Sequence, residues 1–154
     1  MVVLKNPKQR CIDLEPATQF PSGFFDGASA NSNGGVGVYL LINCDHSFSI
    51  NMGCGQSNNT RSEILALWAL LVVAKEFGIP SLHIRGDSSI IINRVKGRSA
   101  LSSLNLDGWC QNIRHLESSF LSFDFSHVYR EYNKKADGLS KEALSMASGL
   151  LQLT

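Results

Sequence analysis

Between Thr60 and about Phe77 the apolar residues fall on nearly every side of a helix, most densely in "ILALWALLVVA", Ile64 to Ala74. A helix apolar all round cannot lie on a surface and must be enclosed by other elements. Gly78 and Pro80 end it. The run is far shorter than the ~20 residues that a membrane span needs, so its cover must come from the protein itself. A chain of 154 residues with 44% hydrophobic content can supply that cover in one domain, and is too short for two comfortable ones.

The surrounding segments suit a sheet. Gly23 to Ala28, Val36 to Ile42 and about Phe48 to Cys54 read as strands, separated by "NSNGG" and "CDHS", which are turn chemistry. They predict a three-stranded antiparallel meander. After the buried helix come a strand, "SLHIRGD", a short helix, "SSIIINRVKG", and a second helix, "LNLDGWCQNIRHLESSF", interrupted at Gly108. "FDFSHVYRE", Phe123 to Glu131, alternates as a fifth strand, and "NKKADGLSKEALSMA" closes as an amphipathic helix. The order βββαβααβα implies a mixed α/β sheet with helices on its faces. Residues 1–22, with Pro7, Pro16 and Pro21, read as a leader or linker stub, residues 23–148 as the domain and 149–154 as a tail.

Four acids sit at element boundaries: Asp26 on the first strand, Glu63 in the first turn of the buried helix, Asp87 ending the fourth strand, and Asp137 in the first turn of the last helix. Three of them have structural readings. Thr60-Arg61-Ser62-Glu63 matches a capping box, Asp87 before "SSIII" is a good N-cap, and Asp137 would complement a helix dipole. Asp26 has no cap to make, and a carboxylate on a strand heading into a core is costly to desolvate unless something positive meets it. If strands one and four are parallel neighbours at ~4.8 Å, Asp26 and Asp87 enter one small volume. Carboxylates gathered in one cleft persist by holding protons or by binding divalent cations, and hard oxygen ligands favour magnesium or manganese.

"FDGAS", "NNTRSEILAL", "GDSSIII" and "REYNKKADGLSKEAL", in that order, resemble the type 1 ribonuclease H domain, in the variety found in plant retroelement reverse-transcriptase proteins. The similarity runs from about Gly23 to Met146. It implies an RNase H fold with a five-stranded mixed sheet in the order 3-2-1-4-5, helices on both faces, and an endonuclease that cuts the RNA strand of RNA/DNA hybrids. It also implies two Mg2+ ions, replaceable by Mn2+, held by Asp26, Glu63, Asp87 and Asp137. The implied partners are the hybrid and a reverse transcriptase domain in the same polypeptide, with the chain itself a monomer.

Substrate contacts carried over from the resemblance are Gly27, Ala28 and Ser29 beside the RNA strand, with Asn59, Thr60, Ser88 and Asn133. For Asn59 and Asn133 helix capping stands as an equal alternative. The resemblance also brings two departures. Many relatives carry a mobile histidine before the last acid, whereas His127 lies in continuous strand pattern, so Arg130 is the better candidate to assist at the scissile phosphate. The segment between Asp87 and Asp137 lacks a lysine-rich protruding helix. Arg94, Lys96 and Arg98 alone cluster there, which predicts weak, strongly salt-dependent binding.

Composition excludes little else. A formal net charge of +1 leaves nucleic-acid binding to local patches. Cys11, Cys44, Cys54 and Cys110 form no CxxC pair and read as free thiols of an intracellular protein, nuclear or cytoplasmic. His46, His83 and His115 are scattered, and Trp68 and Trp109 read as core. A 3'-5' exonuclease on a related fold is disfavoured, because Ala28 stands two residues after Asp26 where such sites place a Glu. The alternative from another class is a non-catalytic RNase H-like module that docks nucleic acid and supports a polymerase domain.

Overall fold

The first hairpin closes on two residues, Asn31 and Ser32, both in the left-handed region at φ 52 and 65. A two-residue turn of that kind matches the twist of the strands it joins. In the computed structural model, which describes residues 21–43, 45–88, 91–92, 107–149 and 151–153, it folds β1 (Ser22–Ala30) against β2 (Asn33–Leu41). Gly34 and Gly35, expected in the turn, therefore lie in β2. Helices pack closely over this strand, and a missing side chain serves that approach as well as it serves a turn.

β3 (Ser47–Gln56) extends the meander antiparallel to β2. β4 (Ser81–Gly86) joins β1 in parallel, pairing Phe25 with Gly86, and β5 (Ser122–His127) joins β4 in parallel. The expected order 3-2-1-4-5 is present within a six-stranded sheet, β5-β4-β1-β2-β3-β6. The sixth strand, β6 (Leu151–Leu153), pairs antiparallel with Ile50 to Met52 at the edge. Three residues are too few to show a period, which is why the sequence pattern did not announce it.

The enclosed helix is α1 (Asn59–Glu76). It packs on the sheet face carrying Phe25, Val36, Val38, Leu40 and Ile50, and contributes Ile64, Leu67, Leu70 and Leu71, each fully buried. Burying each such side chain stabilises by roughly 1.5–3 kcal/mol, so Leu67→Ala or Leu70→Ala would cost about 2–5 kcal/mol. α2 (Asp107–Glu117) lies against α1 through Ile113. On the opposite face α3 (Lys134–Glu142) covers Phe24, Tyr39 and Leu41 with Ala136 and Leu139.

Two boundaries differ from expectation. α1 is capped by Asn58, whose side chain accepts from the Arg61 N–H at 2.8 Å, so the Thr60–Glu63 capping box is not formed. Its C-terminus ends at Gly78, φ 69, whose N–H donates to Lys75 O. β5 stops at His127 instead of running to Glu131: the Val128 N–H donates to Gly86 O, and a short 3-10 turn, Arg130–Tyr132, leads into α3. Of the short helix expected after Asp87, only residues 91–92 are described, and both are helical. Among the described residues no helix is long and apolar enough to cross a membrane.

Candidate active site

Asp26 sits in the central strand with 6% of its surface exposed. Two glycines let helices reach it from both sides. A side chain at Gly27 would overlap the backbone of Ser62 and Glu63 on α1, and one at Gly37, the cross-strand partner of Asp26, would overlap Ala136 O and Ser140 N on α3. The Glu63 and Asp137 carboxylates are thereby brought to the same strand from opposite faces. Asp87 follows the C-terminal end of β4, next to β1 in the sheet. The parallel register foreseen for strands one and four is what unites Asp26 and Asp87.

Carboxylate oxygens of Asp26, Glu63 and Asp87 all lie within 4.8 Å of one another. Asp137 joins from the side, sharing a hydrogen bond with Asp26 and taking Lys141 Nζ at 3.0 Å. Lys141, one helical turn on, is a partner the sequence pattern left unnoticed, although i,i+4 spacing to Asp137 was there to be read. Among the described residues the compensation for so much charge is thin. Asp26 Oδ1 accepts the Gly27 N–H at 3.0 Å, and Arg130 Nε stands 3.9 Å from Asp87 Oδ2 on a side chain that is 87% exposed.

Burial pushes the Asp26 carboxyl up to about 8, with the Asp87 charge and the hydrogen bond to Asp137 adding to it. Burial also lifts Glu63 to about 7, aided by Asp87 and opposed by the Ser88 hydroxyl and Arg130. Asp137 goes the other way: its own burial would raise it, but Lys141 and the proton offered by Asp26 hold it below the usual carboxylate range. Near neutrality the site keeps a proton between Asp26 and Asp137. Oxygen donors this close, short of cations and retaining protons, fit a hard divalent ion, with Asp26, Glu63 and Asp87 as the inner set and Asp137 at its side.

The remaining expected residues divide. Ser29 and Asn59 meet, Ser29 Oγ donating to Asn59 Oδ1 at 2.8 Å on the exposed end of the site. Asn59 caps nothing, since Asn58 holds that role. Thr60 is half-buried in the first turn of α1. Ser88 contacts Glu63, and its Oγ lies 3.5 Å from the Ile91 N–H, so it rather than Asp87 begins the next helix.

Asn133 corrects an expectation: it is 1% exposed, with Nδ2 donating to Phe25 O at 3.1 Å, and is out of reach of nucleic acid. It precedes α3 without a side-chain cap bond and instead fastens that helix to the strand just before Asp26. His127 ends β5, its Nε2 3.1 Å from Asp87 O. Arg94, Lys96 and Arg98 lie outside the described residues, as do Cys11 and Cys44.

A family model described as reverse transcriptase-like matches residues 24–143. The chain belongs to this family. Its fold is that of a type 1 ribonuclease H domain. Ribonuclease HI of Halobacterium salinarum is 32% identical over 127 residues, covering 80% of this chain; the chain spans 64% of that relative's length. The crystal structure of RNase H1 from the halophilic archaeon Halobacterium salinarum superposes with a TM-score of 0.77 at 29% identity, covering 82% of this chain and 98% of that one. LC11-RNase H1, solved in complex with an RNA/DNA hybrid, superposes with a TM-score of 0.73 at 23% identity, covering 80% and 95%. In this ribonuclease H domain the matched segment contains all four acids.

Proposed function

We propose that this domain is a metal-dependent endonuclease that hydrolyses the RNA strand of RNA/DNA hybrids by a two-metal mechanism. In this reading it belongs to a plant retroelement and works beside a reverse transcriptase domain in the same polypeptide. The observation that carries it is the group of Asp26, Glu63 and Asp87 oxygens within 4.8 Å, undercompensated by the cations among the described residues. A purely structural cluster would gain from losing such repulsion. The ribonuclease name of the 32% identical relative and the hybrid bound to LC11-RNase H1 support the substrate class.

Asp26, Glu63, Asp87 and Asp137 would hold two Mg2+ ions, or Mn2+ in their place, which supply an activated water and charge stabilisation of the leaving 3' oxygen. The chain's own residues set the stage for this. Asp26 must give up the proton it shares with Asp137, so loading the site releases protons. Arg130, exposed and only loosely attached to Asp87, is free to swing its planar guanidinium onto phosphate oxygens of the substrate. The Ser29–Asn59 pair presents a hydroxyl and an amide at the open end, where 2'-hydroxyls distinguish RNA. Gly27 is spoken for by the contact with α1, and Ala28 and Ser29 follow it toward the exposed end of β1.

The deciding measurement is a gel assay on matched RNA/DNA, RNA/RNA and DNA/DNA duplexes with Mg2+ and with chelator. Cleavage confined to the hybrid and to the metal-containing lanes is expected. Hybrid binding without cleavage would instead establish the docking module. Binding should be weak and fall steeply with salt, since the sequence between Asp87 and Asp137 clusters only Arg94, Lys96 and Arg98 to neutralise phosphates; tight, salt-insensitive affinity would contradict that.

A further inference from the structure

Five large apolar side chains are notably exposed among the described residues: Phe77, Leu121, Phe123, Tyr129 and Leu153. Four lie away from the acids. Phe77 ends α1 at the end opposite Glu63, Leu121 and Phe123 lie at the start of β5, and Leu153 is in the edge strand β6. Tyr129 differs: it follows the end of β5 on the Asp87 side, 69% exposed, with Arg130 next in the chain.

Its mounting is firm. The Val128 N–H donates to Gly86 O at 2.9 Å, and the Tyr129 carbonyl accepts the Tyr132 N–H at 2.9 Å. The ring meets that of His127 edge-on, centroids 6.1 Å apart and planes at 85°, and His127 is itself within 3.1 Å of Asp87 O. Exposed aromatic rings are common singly and need no explanation. A ring held in place by the residue that contacts the Asp87 carbonyl, and still 69% exposed, is a prepared contact surface.

We propose that Tyr129 is a substrate-binding residue whose ring packs against the sugar face of the strand beside the phosphate that Arg130 meets. This rests on the hybrid reading above. In a duplex the base faces are already stacked on one another, so a ring outside it has the sugars as its apolar partner, and the broad minor groove of A-like helices displays them. The contact is neutral. It adds affinity that salt does not screen, beside the ionic contact proposed for Arg130.

The test is hybrid binding by fluorescence anisotropy at several salt concentrations, in the Asp87→Asn background so that nothing is cut. Tyr129→Ala should raise Kd about fivefold to tenfold with an unchanged salt slope. Tyr129→Phe should stay within about twofold of the parent, and thermal melts of both should match it because the ring is exposed. Parent-like binding by the Ala variant overturns the inference and leaves the hybrid reading standing. So does an equal loss in the Phe variant, which would assign the effect to the hydroxyl. Failure of the parent to bind hybrid at any salt is a different result, and removes the hybrid reading itself.

Discussion

β4 and its C-terminal end serve two carboxylate centres that are built on opposite principles. Along the strand, His83 and Arg85 turn toward Asp124 of β5: His83 Nδ1 lies 2.5 Å from one oxygen and Arg85 Nη1 3.1 Å from the other. Burial alone would raise Asp124, but these two partners hold it below the usual carboxylate range. Just past the strand's end, Asp87 meets Asp26 and Glu63 with, among the described residues, only the exposed Arg130 beside Asp87 to offset them, and Asp26 is driven up to about 8. The fold can match a carboxylate with cations where architecture is all that is required. Where it does not, the clustered acids are left as a group that could hold an external cation.

The largest contrast should come from removing one carboxylate of the undercompensated centre. Asp87→Asn should lower hybrid cleavage by about a thousandfold, equivalent to about 4 kcal/mol of transition-state stabilisation. Its melting temperature should hold or rise, because a repulsion has been relieved. Wild-type cleavage by the purified variant would remove Asp87 from the reaction.

Much of this centre was legible because its acids stand at the ends of strongly patterned elements. Glu63 heads an apolar helix, and Asp87 follows a short strand whose Leu82 and Ile84 alternate into the core. Charge compensation was harder to read. The partners of Asp124 come from β4, about forty residues away, and nothing local to "FDFSH" announces them. Asn133 misled for a similar reason: an asparagine before a helix suits a cap, a substrate contact and a buried bridge equally well, and only the packing of α3 on β1 selects the third. Gly34 and Gly35 read as a turn because composition cannot distinguish a glycine that bends the chain from one that admits a helix. Conversely, the Asn58 cap lay two residues before the motif that drew attention, Thr60 to Glu63.

A smaller effect, and opposite in sign at the two centres, is expected in the pH dependence of stability. Asp26 is raised from 3.8 to about 8 and Glu63 from 4.5 to about 7, so the native state binds more protons than the unfolded chain across that interval. Stability from these groups is full below their unfolded values and is lost as pH rises through the folded ones. In chelator, melting temperature should therefore fall between about pH 4 and 8, by a few kcal/mol in free energy at most. Asp26→Asn should flatten most of that fall. A curve that rises over the interval would show that the acids are compensated after all.

Metal should abolish the same decline in the wild type by binding the native state alone. At a concentration about a hundredfold above Kd, Mg2+ is expected to add roughly 2.7 kcal/mol, with Mn2+ acting likewise. The shift should grow from pH 6 to 8 as proton competition at Asp26 weakens. It should largely vanish in Asp87→Asn. An equal shift in that variant would place the ion elsewhere on the molecule.

The smallest effect belongs to the matched centre, and it tests whether matching there is structural only. Asp124→Asn leaves Arg85, 9% exposed, with a single long contact to Ile84 O at 3.5 Å. Stranding a buried guanidinium is destabilising, yet the Asp124 side chain is 49% exposed and solvent screens part of the pair, so a loss of about 1–2 kcal/mol is expected. Because the Asp124 carboxyl is held low, its contribution is present above the unfolded value of 3.8 and disappears as pH falls below it. The variant's deficit should accordingly shrink in acid, while that of wild type relative to Asp26→Asn shrinks there for the opposite reason: protonation relieves the acids of the cleft. Hybrid cleavage should be unchanged, because no atom of the Asp124 pair contacts the acids of the cleft. If cleavage fell together with stability, the two ends of β4 would be acting as one electrostatic unit, and Arg85 would have to be counted among the groups that set the charge of the active site.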